Sequence, residues 1–283
     1  MNPWVRLLRP KQWIKNFFVF APLFFANQFM QAEPWALVAL AALCFLAASV
    51  VVYIGNDMKD MAEDRLHPTK QKRPLASGQI APFSAALVAC FAAAVTMFLA
   101  ALLPFMCGMV ILLYMGINVI YTLYLKRFAL IDVFCIASFY VMRVLMGCYA
   151  LDVTVSPWIL LTTFLLALFL GFGKRYHEMG FEPYALAKPN LQHYNRQLLD
   201  RLVIICSCAA LITYAIYTAE TGLRQGKPEL AYTVAFVAFG LFRYLQAIYV
   251  YNQGGEPETV ILHDRLQLVN VVLWLAVTLV ILF

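Results

Sequence analysis

The sequence predicts an all-α integral membrane protein with about nine transmembrane helices and a polar cap on its cytoplasmic face. Of the 283 residues, 63% are hydrophobic and 13% are charged, whereas a soluble domain has about 45–50% apolar and about 25% charged residues. Nine apolar runs approach the roughly 20 residues that a helix needs to cross about 30 Å of hydrocarbon. This composition excludes a cytosolic enzyme, a secreted disulfide scaffold and a disordered chain.

The apolar runs show where the chain is expected to cross the membrane. Pro104 separates the third run from the fourth, and the sixth run is the shortest. The expected spans are 14–31, 35–54, 82–102, 105–125, 129–150, 157–173, 201–221, 230–250 and 266–283. We expect them to form a single transmembrane domain over residues 1–283.

The placement of Lys and Arg predicts how the chain is oriented. All of these 21 residues fall on one side, except Arg143 and Arg243 within spans and Arg224 and Lys227 on the opposite side. Cytoplasmic loops carry the excess of positive charge in membrane proteins. We therefore expect a multi-pass protein of the cytoplasmic (inner) membrane, with the N-terminus inside. The net charge of +6 thus results from basic residues in the cytoplasmic loops of a membrane protein, and nucleic acid is not an expected partner.

The long connections also lie on the positive side. Residues 55–81, 174–200 and 251–265 form these cytoplasmic loops, whereas the outer connections are short. Because long loops commonly carry function, we expect the active site to face the cytoplasm.

An acidic segment follows the second span, with the sequence Asn56-Asp57-x-x-Asp60-x-x-x-Asp64. If the helix continues, the three aspartates share one face, with Asn56 at its edge. Hard oxygen ligands of this kind suit Mg²⁺, which combines a few carboxylates with substrate phosphates and water. A solvated helix end is the alternative, but carboxylates at a membrane edge are costly and mark functional sites. We predict all four residues as metal ligands and the aspartates as catalytic.

A basic loop comes directly after the acidic segment. Pro68 and Pro74 exclude a helix there, and Lys72 and Arg73 lie between them. Carboxylates followed by cations fit a metal–phosphate site, because the cations bind the phosphate oxygens. A topology signal or a lipid headgroup contact is the alternative interpretation.

These residues resemble a known family. The acidic motif and the His67-Pro-Thr-Lys-Gln-Lys-Arg-Pro74 loop are similar to those of the UbiA-type membrane prenyltransferase superfamily. The resemblance implies nine helices around a central cavity, with Mg²⁺ and a diphosphate at its cytoplasmic mouth.

Four further segments are similar to one branch of that superfamily, which uses decaprenyl phosphate. They are residues 9–16, 171–178, 240–245 and 254–265. This branch implies a membrane-embedded phosphoribosyltransferase. Its members transfer 5-phosphoribose from phosphoribosyl diphosphate to a polyprenyl phosphate and release pyrophosphate, in the synthesis of arabinose donors for the cell envelope.

One segment departs from the typical superfamily pattern. Where most members carry a second Asp-rich motif, this chain has Lys174 and Arg175, with Glu178 one turn later. A mainly cationic segment suits a second anion, such as a lipid phosphate or ribose 5-phosphate. The alternative enzyme is a prenyltransferase that moves a prenyl group from its diphosphate to an aromatic acceptor. A lipid transporter fits less well, because the chain lacks a convincing internal repeat.

The remaining candidates extend this substrate site. A charge in hydrocarbon costs about 2.5 kcal/mol or more, so Arg143 and Arg243 are expected to face the protein interior. The resemblance implies that Gln12, Lys15 and Asn16 line the cavity and bind substrate, and an interfacial belt of Trp13 and Lys15 is an equal alternative. Lys126, Arg243 and Arg265 are further expected substrate-binding residues. Asp132, Arg143 and Asp264 are additional candidates, and for Arg143 pairing with another protein group is an equal alternative.

Overall fold

A computed structural model describes residues 2–25, 29–65, 70–180, 190–255, 260 and 263–283. Within these ranges the chain is helical and has no strands, and eight helical segments are long and apolar enough to cross a membrane. These are α3 (Ala32–Lys59), α5 (Pro82–Ala101), α6 (Phe105–Leu123), α7 (Ile131–Ala150), α8 (Pro157–Glu178), α9 (Arg196–Gln225), Pro228–Tyr249 and α11 (Arg265–Leu282). The prediction of an all-α, multi-pass membrane protein is confirmed.

Shorter elements connect and extend these helices. The short α-helices are α1 (Pro3–Leu7), α2 (Ala21–Phe25) and α4 (Met61–Arg65), and α10 (Val234–Tyr249) completes the segment that begins at Pro228. The 3₁₀ helices are Pro10–Phe20, Lys70–Lys72, Leu125–Arg127, Leu191–His193 and Pro228–Thr233.

The first predicted span differs from the other eight. Within 14–31, the described residues form the end of the 3₁₀ helix Pro10–Phe20 and then α2. The N–H of Gln12 donates to the carbonyl of Arg9 at 2.9 Å, three residues back. Pro22 has no N–H to continue a helical ladder, so it favours a break in this region. Residues 26–28 lie outside the described residues.

Several helices continue past their apolar runs. α3 extends to Lys59 and α8 to Glu178, while α9 begins at Arg196. The side chain of Asn195 accepts a hydrogen bond from the N–H of Leu198 at 2.7 Å and so caps α9. The polar residues next to the membrane therefore belong to regular helices, which hold them more firmly than loops would.

The chain divides into two compact units. The first comprises residues 1–23, 29–123 and 142–153, and the second comprises residues 24–28, 124–141 and 154–283. In the first unit, α3 packs against α5, α6 and the 3₁₀ helix Pro10–Phe20. A buried cluster joins α1, α3, α5 and the turn after the basic loop, and consists of Leu7, Val50, Ile54, Leu75, Ile80, Ala85 and Ala92. This cluster brings the basic loop back to the end of α3.

In the second unit, α8 packs along α9, and α10 packs against α11. The rings of Phe169 and Tyr244 meet edge to face, with 5.3 Å between centroids. A Cβ atom at Gly254 would lie 3.0 Å from Cβ of His177 and 3.2 Å from the carbonyl oxygen of Gly173. Glycine therefore allows the backbone after α10 to lie directly on α8.

Gly147 of α7 allows an even closer approach, since a Cβ atom there would lie 2.0 Å from the carbonyl oxygen of Val19. We expect Gly147→Ala to destabilise the protein by about 1–3 kcal/mol, because a backbone carbonyl cannot rotate away as a side chain can. Thermal unfolding in detergent measures the effect. The control is Gly116→Ala on α6, where nothing lies within 4 Å and alanine is expected to be neutral or stabilising. Equal unfolding temperatures for the two variants would contradict the close approach.

Candidate functional site

The acidic segment retains its helical register across a break. Asp60 is the C-cap residue that follows the end of α3 at Lys59, and α4 begins at the next residue. The N–H of Asp60 still donates to the carbonyl of Asn56 at 2.9 Å, and that of Asp64 to the carbonyl of Asp60 at 2.8 Å. Asp57 and Asp64 are 3% exposed, whereas Asp60 is half-buried. Two of the three predicted catalytic carboxylates are therefore buried together in the first unit.

Arg73 from the basic loop joins these two carboxylates. Its Nη1 atom lies 3.0 Å from Oδ1 of Asp57 and 2.5 Å from Oδ2 of Asp64. Lys70 adds an ion pair, with Nζ 3.8 Å from the other oxygen of Asp64. The predicted sequence of acids followed by bases thus folds into direct contacts between them.

Arg9 supplies a second guanidinium that the sequence analysis did not include among the site residues. Its Nη2 donates to Oδ1 of Asp57, and its Nε lies 3.3 Å from Oδ2. The guanidinium also lies over the ring of Tyr53, 5.3 Å from the centroid. We call Asp57, Asp64, Arg9 and Arg73 the acid–arginine cluster. The available signal was the position of Arg9 at the start of the segment 9–16, which also contains the predicted binding residues Gln12, Lys15 and Asn16.

The backbone of Arg9 is unusual, with φ 51° and ψ 60° in the left-handed region. Non-glycine residues avoid this region, at a cost of order 1–3 kcal/mol. Pro10 follows directly and disfavours the ordinary helical conformation at Arg9. The turn between α1 and the 3₁₀ helix thus directs the Arg9 side chain towards Asp57.

The predicted metal ligands provide hard oxygen donors, but in this structure these oxygens contact other side chains of the protein. Among the described residues, no three His, Cys, Asp or Glu side chains are grouped as a metal site. Arg9 and Arg73 occupy the oxygens of Asp57 and Asp64, while the side-chain oxygen of Asn56 accepts from the hydroxyl of Thr122. The donor set still fits Mg²⁺, which needs only one or two carboxylates when substrate phosphates complete its coordination.

Asn16 and Arg143 belong to a separate buried network in the first unit. Nε of Arg143 donates to Oδ1 of Asn16 at 3.0 Å, and Nη2 lies 3.4 Å from Oγ of Ser49. The guanidinium lies over the rings of Phe45 and Tyr114, at 4.6 and 5.6 Å from their centroids. Of the two roles considered for Arg143, this arrangement favours pairing with protein groups.

The second unit has its own charged cluster, centred on Asp132, which is fully buried. Arg175 donates to Oδ2 of Asp132 from Nε at 2.9 Å and from Nη2 at 2.7 Å, and its Nη1 lies 2.6 Å from Glu178. Asn190 donates to the same Asp132 oxygen at 2.8 Å. Together with Tyr194 we call this the Asp132 cluster. The positive charge that the sequence analysis assigned to substrate binding is neutralised by two carboxylates, so Arg175 and Glu178 are better placed to position α8.

Tyr194 completes the Asp132 cluster. Its hydroxyl accepts from the N–H of Leu130 at 2.6 Å and lies 3.4 Å from Oδ1 of Asp132. Burial and the neighbouring carboxylate raise the pKa of Tyr194 to about 12. The phenol therefore stays protonated at neutral pH and ties the start of α7 to the start of α9.

Arg243 and Asp264, both predicted near the substrate, form an ion pair with Nε 2.6 Å from Oδ2. The other oxygen of Asp264 accepts from the N–H groups of Leu266 and Gln267 and so caps α11. Burial acts to raise the pKa of Asp264, but the hydrogen bonds from Arg243 and these amides outweigh it and lower the pKa.

The other predicted binding residues lie outside these clusters. Gln12 and Lys15 are half-buried on the 3₁₀ helix Pro10–Phe20, and Lys72 is exposed in the basic loop. In the second unit, Lys126 and Lys174 are half-buried and Arg265 is exposed. Parts of the predicted loops, at 66–69, 181–189, 256–259 and 261–262, lie outside the described residues.

Comparison with known proteins gives consistent results. A family model described as the UbiA prenyltransferase family matches residues 17–260. Proteins named decaprenyl-phosphate phosphoribosyltransferase are similar: that of Mycobacterium tuberculosis is 29% identical over 96% of this chain and 91% of its own. The one from Corynebacterium glutamicum is 28% identical over 95% and 83%. A solved UbiA homologue from Archaeoglobus fulgidus, bound to GPP and Mg²⁺, has a TM-score of 0.75 at 18% identity and covers 99% of both chains.

The Asp132 cluster predicts a large effect of a small substitution. Asp132→Asn removes one of the two carboxylates that face Arg175, and loss of buried hydrogen bonds to a charged group costs about 1.5–3 kcal/mol. We expect the unfolding temperature in detergent to fall by roughly 5–10 °C. The control is Glu220→Gln, which breaks the exposed pair with Arg224 and is expected to cost about 0–1 kcal/mol. A similar fall for both variants would show that the Asp132 cluster is not a stabilising centre.

Proposed function

This chain belongs to the UbiA prenyltransferase family, and we propose that it transfers 5-phosphoribose from phosphoribosyl diphosphate to a polyprenyl phosphate, with release of pyrophosphate. As a member of this family it is a membrane enzyme. The similar proteins named decaprenyl-phosphate phosphoribosyltransferase, which match nearly the whole chain, support this substrate pair. The product would serve the synthesis of arabinose donors for the cell envelope.

The structural observation that carries the proposal is the acid–arginine cluster. Two buried carboxylates and two guanidinium groups lie within hydrogen-bond reach of one another. A diphosphate donor that carries a divalent metal needs both kinds of group, because carboxylates bind the metal and guanidinium groups bind phosphate oxygens in a bidentate manner. The cluster therefore fits the diphosphate end of the donor.

Asp57, Asp60 and Asp64, with Asn56 at their edge, would hold the metal that the family implies. Mg²⁺ bound there would neutralise the negative charge of the pyrophosphate leaving group. Arg9, from the N-terminal segment, would orient the donor. Lys72 and Arg73, from the basic loop, would offset the negative charge of the diphosphate.

The acceptor needs no strong general base, since a phosphate is already anionic near pH 7. Its oxygen would attack the anomeric carbon as the bond to pyrophosphate breaks, through a transition state with oxocarbenium character. The proposed substrate contacts are Gln12, Lys15, Asn16, Lys126, Lys174, Arg243 and Arg265. Within the second unit, Arg175, Glu178 and Asp132 would position α8, and the ion pair of Arg243 with Asp264 would position α11.

We further propose that the acidic end of α3 faces the cytoplasm. The N-terminal segment and the basic loop carry Arg9 and Arg73 to that end, and positively charged segments stay on the cytoplasmic side. Phosphoribosyl diphosphate is a soluble cytoplasmic metabolite, so this orientation gives it direct access.

The proposed reaction is tested with purified protein in detergent, Mg²⁺ and phosphoribosyl diphosphate labelled in the ribose. We expect label to enter the organic phase only when polyprenyl phosphate is present, and to disappear with EDTA. Asp57→Asn is expected to lower the rate at least about 100-fold, because a buried charge near the leaving group is lost. The control is Glu63→Gln, an exposed carboxylate on α4, which is expected to retain the rate.

A parallel reaction replaces these substrates with prenyl diphosphate and an aromatic acid. If the aromatic acid becomes prenylated in this reaction and no label enters the lipid in the first reaction, the protein is a prenyltransferase and the phosphoribosyl reaction is excluded. No product in either reaction, from folded protein, would overturn the enzymatic proposal and favour lipid transport.

A further inference from the structure

Every carboxylate oxygen of Asp57 and Asp64 faces a cationic side chain. Arg9 spans both oxygens of Asp57, Arg73 bridges one oxygen of each carboxylate, and Lys70 lies beside the last. A metal ion would bind the same carboxylate oxygens that accept these hydrogen bonds. Each oxygen has two lone pairs, so a metal beside a guanidinium group would share an oxygen with it, and release of the guanidinium group removes the repulsion between the two cations.

We infer that Arg9 and Arg73 are exchangeable counter-ions: they occupy the carboxylates in the absence of ligand and move to the diphosphate when metal and donor bind. This inference rests on the proposed function. No covalent bond changes in this exchange. The planar guanidinium group can form the same pair of hydrogen bonds with a carboxylate or with a phosphate. Each arginine would give up hydrogen bonds to a carboxylate and regain them on phosphate oxygens.

The charges favour joint binding of metal and anion. Arg9, Lys70 and Arg73 carry three positive charges, which offset the three negative charges of Asp57, Asp60 and Asp64. A divalent cation alone would leave the site with a net positive charge and would be repelled by the guanidinium groups. A metal that arrives with a diphosphate brings the compensating negative charge. Metal and donor should therefore assist each other's binding.

The exposure of the side chains is consistent with such an exchange. The Asp57 and Asp64 side chains are 3–4% exposed, whereas those of Arg9 and Arg73 are 23% and 30% exposed. The guanidinium groups thus extend from the buried carboxylates to the open side of the cluster. Both arginines precede a proline and lie outside regular α-helix, so helix packing does not confine their side chains.

Removing one of these cations should strengthen the binding of metal in the absence of donor and should weaken the binding of donor. The measurement is Mn²⁺ binding to the full-length protein in detergent, followed by the electron paramagnetic resonance signal of free Mn²⁺. Without donor, Arg9→Gln and Arg73→Gln are expected to bind Mn²⁺ about tenfold more tightly than the unmodified protein. With saturating Mn²⁺, both variants are expected to bind phosphoribosyl diphosphate about tenfold more weakly.

The matched control is Arg65→Gln. Arg65 is exposed on α4, and its Nε lies 3.2 Å from the carbonyl oxygen of Ala76. This variant loses the same charge close to the cluster but frees neither carboxylate. It should change Mn²⁺ affinity less than twofold, which separates competition for the carboxylates from a general change in potential.

Two results would overturn the exchange. If Arg9→Gln and Arg73→Gln bind Mn²⁺ alone no more tightly than Arg65→Gln does, the arginines do not compete with the metal. If they bind the donor as well as the unmodified protein does, the arginines do not move to the diphosphate. Arg9→Lys and Arg73→Lys keep the charge and provide folded variants if the glutamine variants aggregate; both should show weaker donor binding.

Failure of the proposed function gives a different pattern. Metal binding that survives Asp57→Asn unchanged, or donor that fails to bind at any Mn²⁺ concentration, would show that this cluster is not the metal–diphosphate site. A cluster that binds both ligands, but whose arginine variants behave like Arg65→Gln, would leave the proposed function intact and overturn only the exchange.

Discussion

The cost of placing charge away from water governs the polar architecture of this protein. An isolated ion in hydrocarbon costs from a few to more than ten kcal/mol, depending on how far it can reach towards water. The buried charges described above each have partners: Asp57 and Asp64 bind arginine, Asp132 binds Arg175, and Arg143 lies between an amide, a hydroxyl and two aromatic rings. Because the partners come from different elements, each pairing also specifies how those elements pack.

The two clusters make different use of this constraint. In the Asp132 cluster, Arg175 lies between two carboxylates at the end of a regular helix and is largely inaccessible. In the acid–arginine cluster, the carboxylates are buried, but the arginines are partly exposed and lie outside regular α-helix. The first arrangement suits a permanent connection between elements. The second suits a site that must release its internal partners before a ligand binds.

The sequence was sufficient to predict the membrane class, the all-α fold and the eight helices of membrane-spanning length found among the described residues, because these depend on local hydrophobicity. It underestimated helix length at Arg196, since polar turns extend a helix without adding to an apolar run. It also missed Arg9, whose importance depends on a partner 48 residues away. The sequence shows that residue 175 is an arginine, but not that Asp132 pairs with its charge, because ion pairing depends on tertiary packing.

Arg9 illustrates a conflict between backbone and side chain at a single position. Its left-handed conformation would suit glycine, which adopts a positive φ without strain, but glycine would remove the guanidinium group that binds Asp57. No standard amino acid combines the conformational freedom of glycine with a long cationic side chain. Attempts to make this protein more thermostable by relieving unfavourable backbone angles should therefore leave position 9 unchanged, since the more relaxed main chain would come with a buried acid that has lost one of its two guanidinium partners.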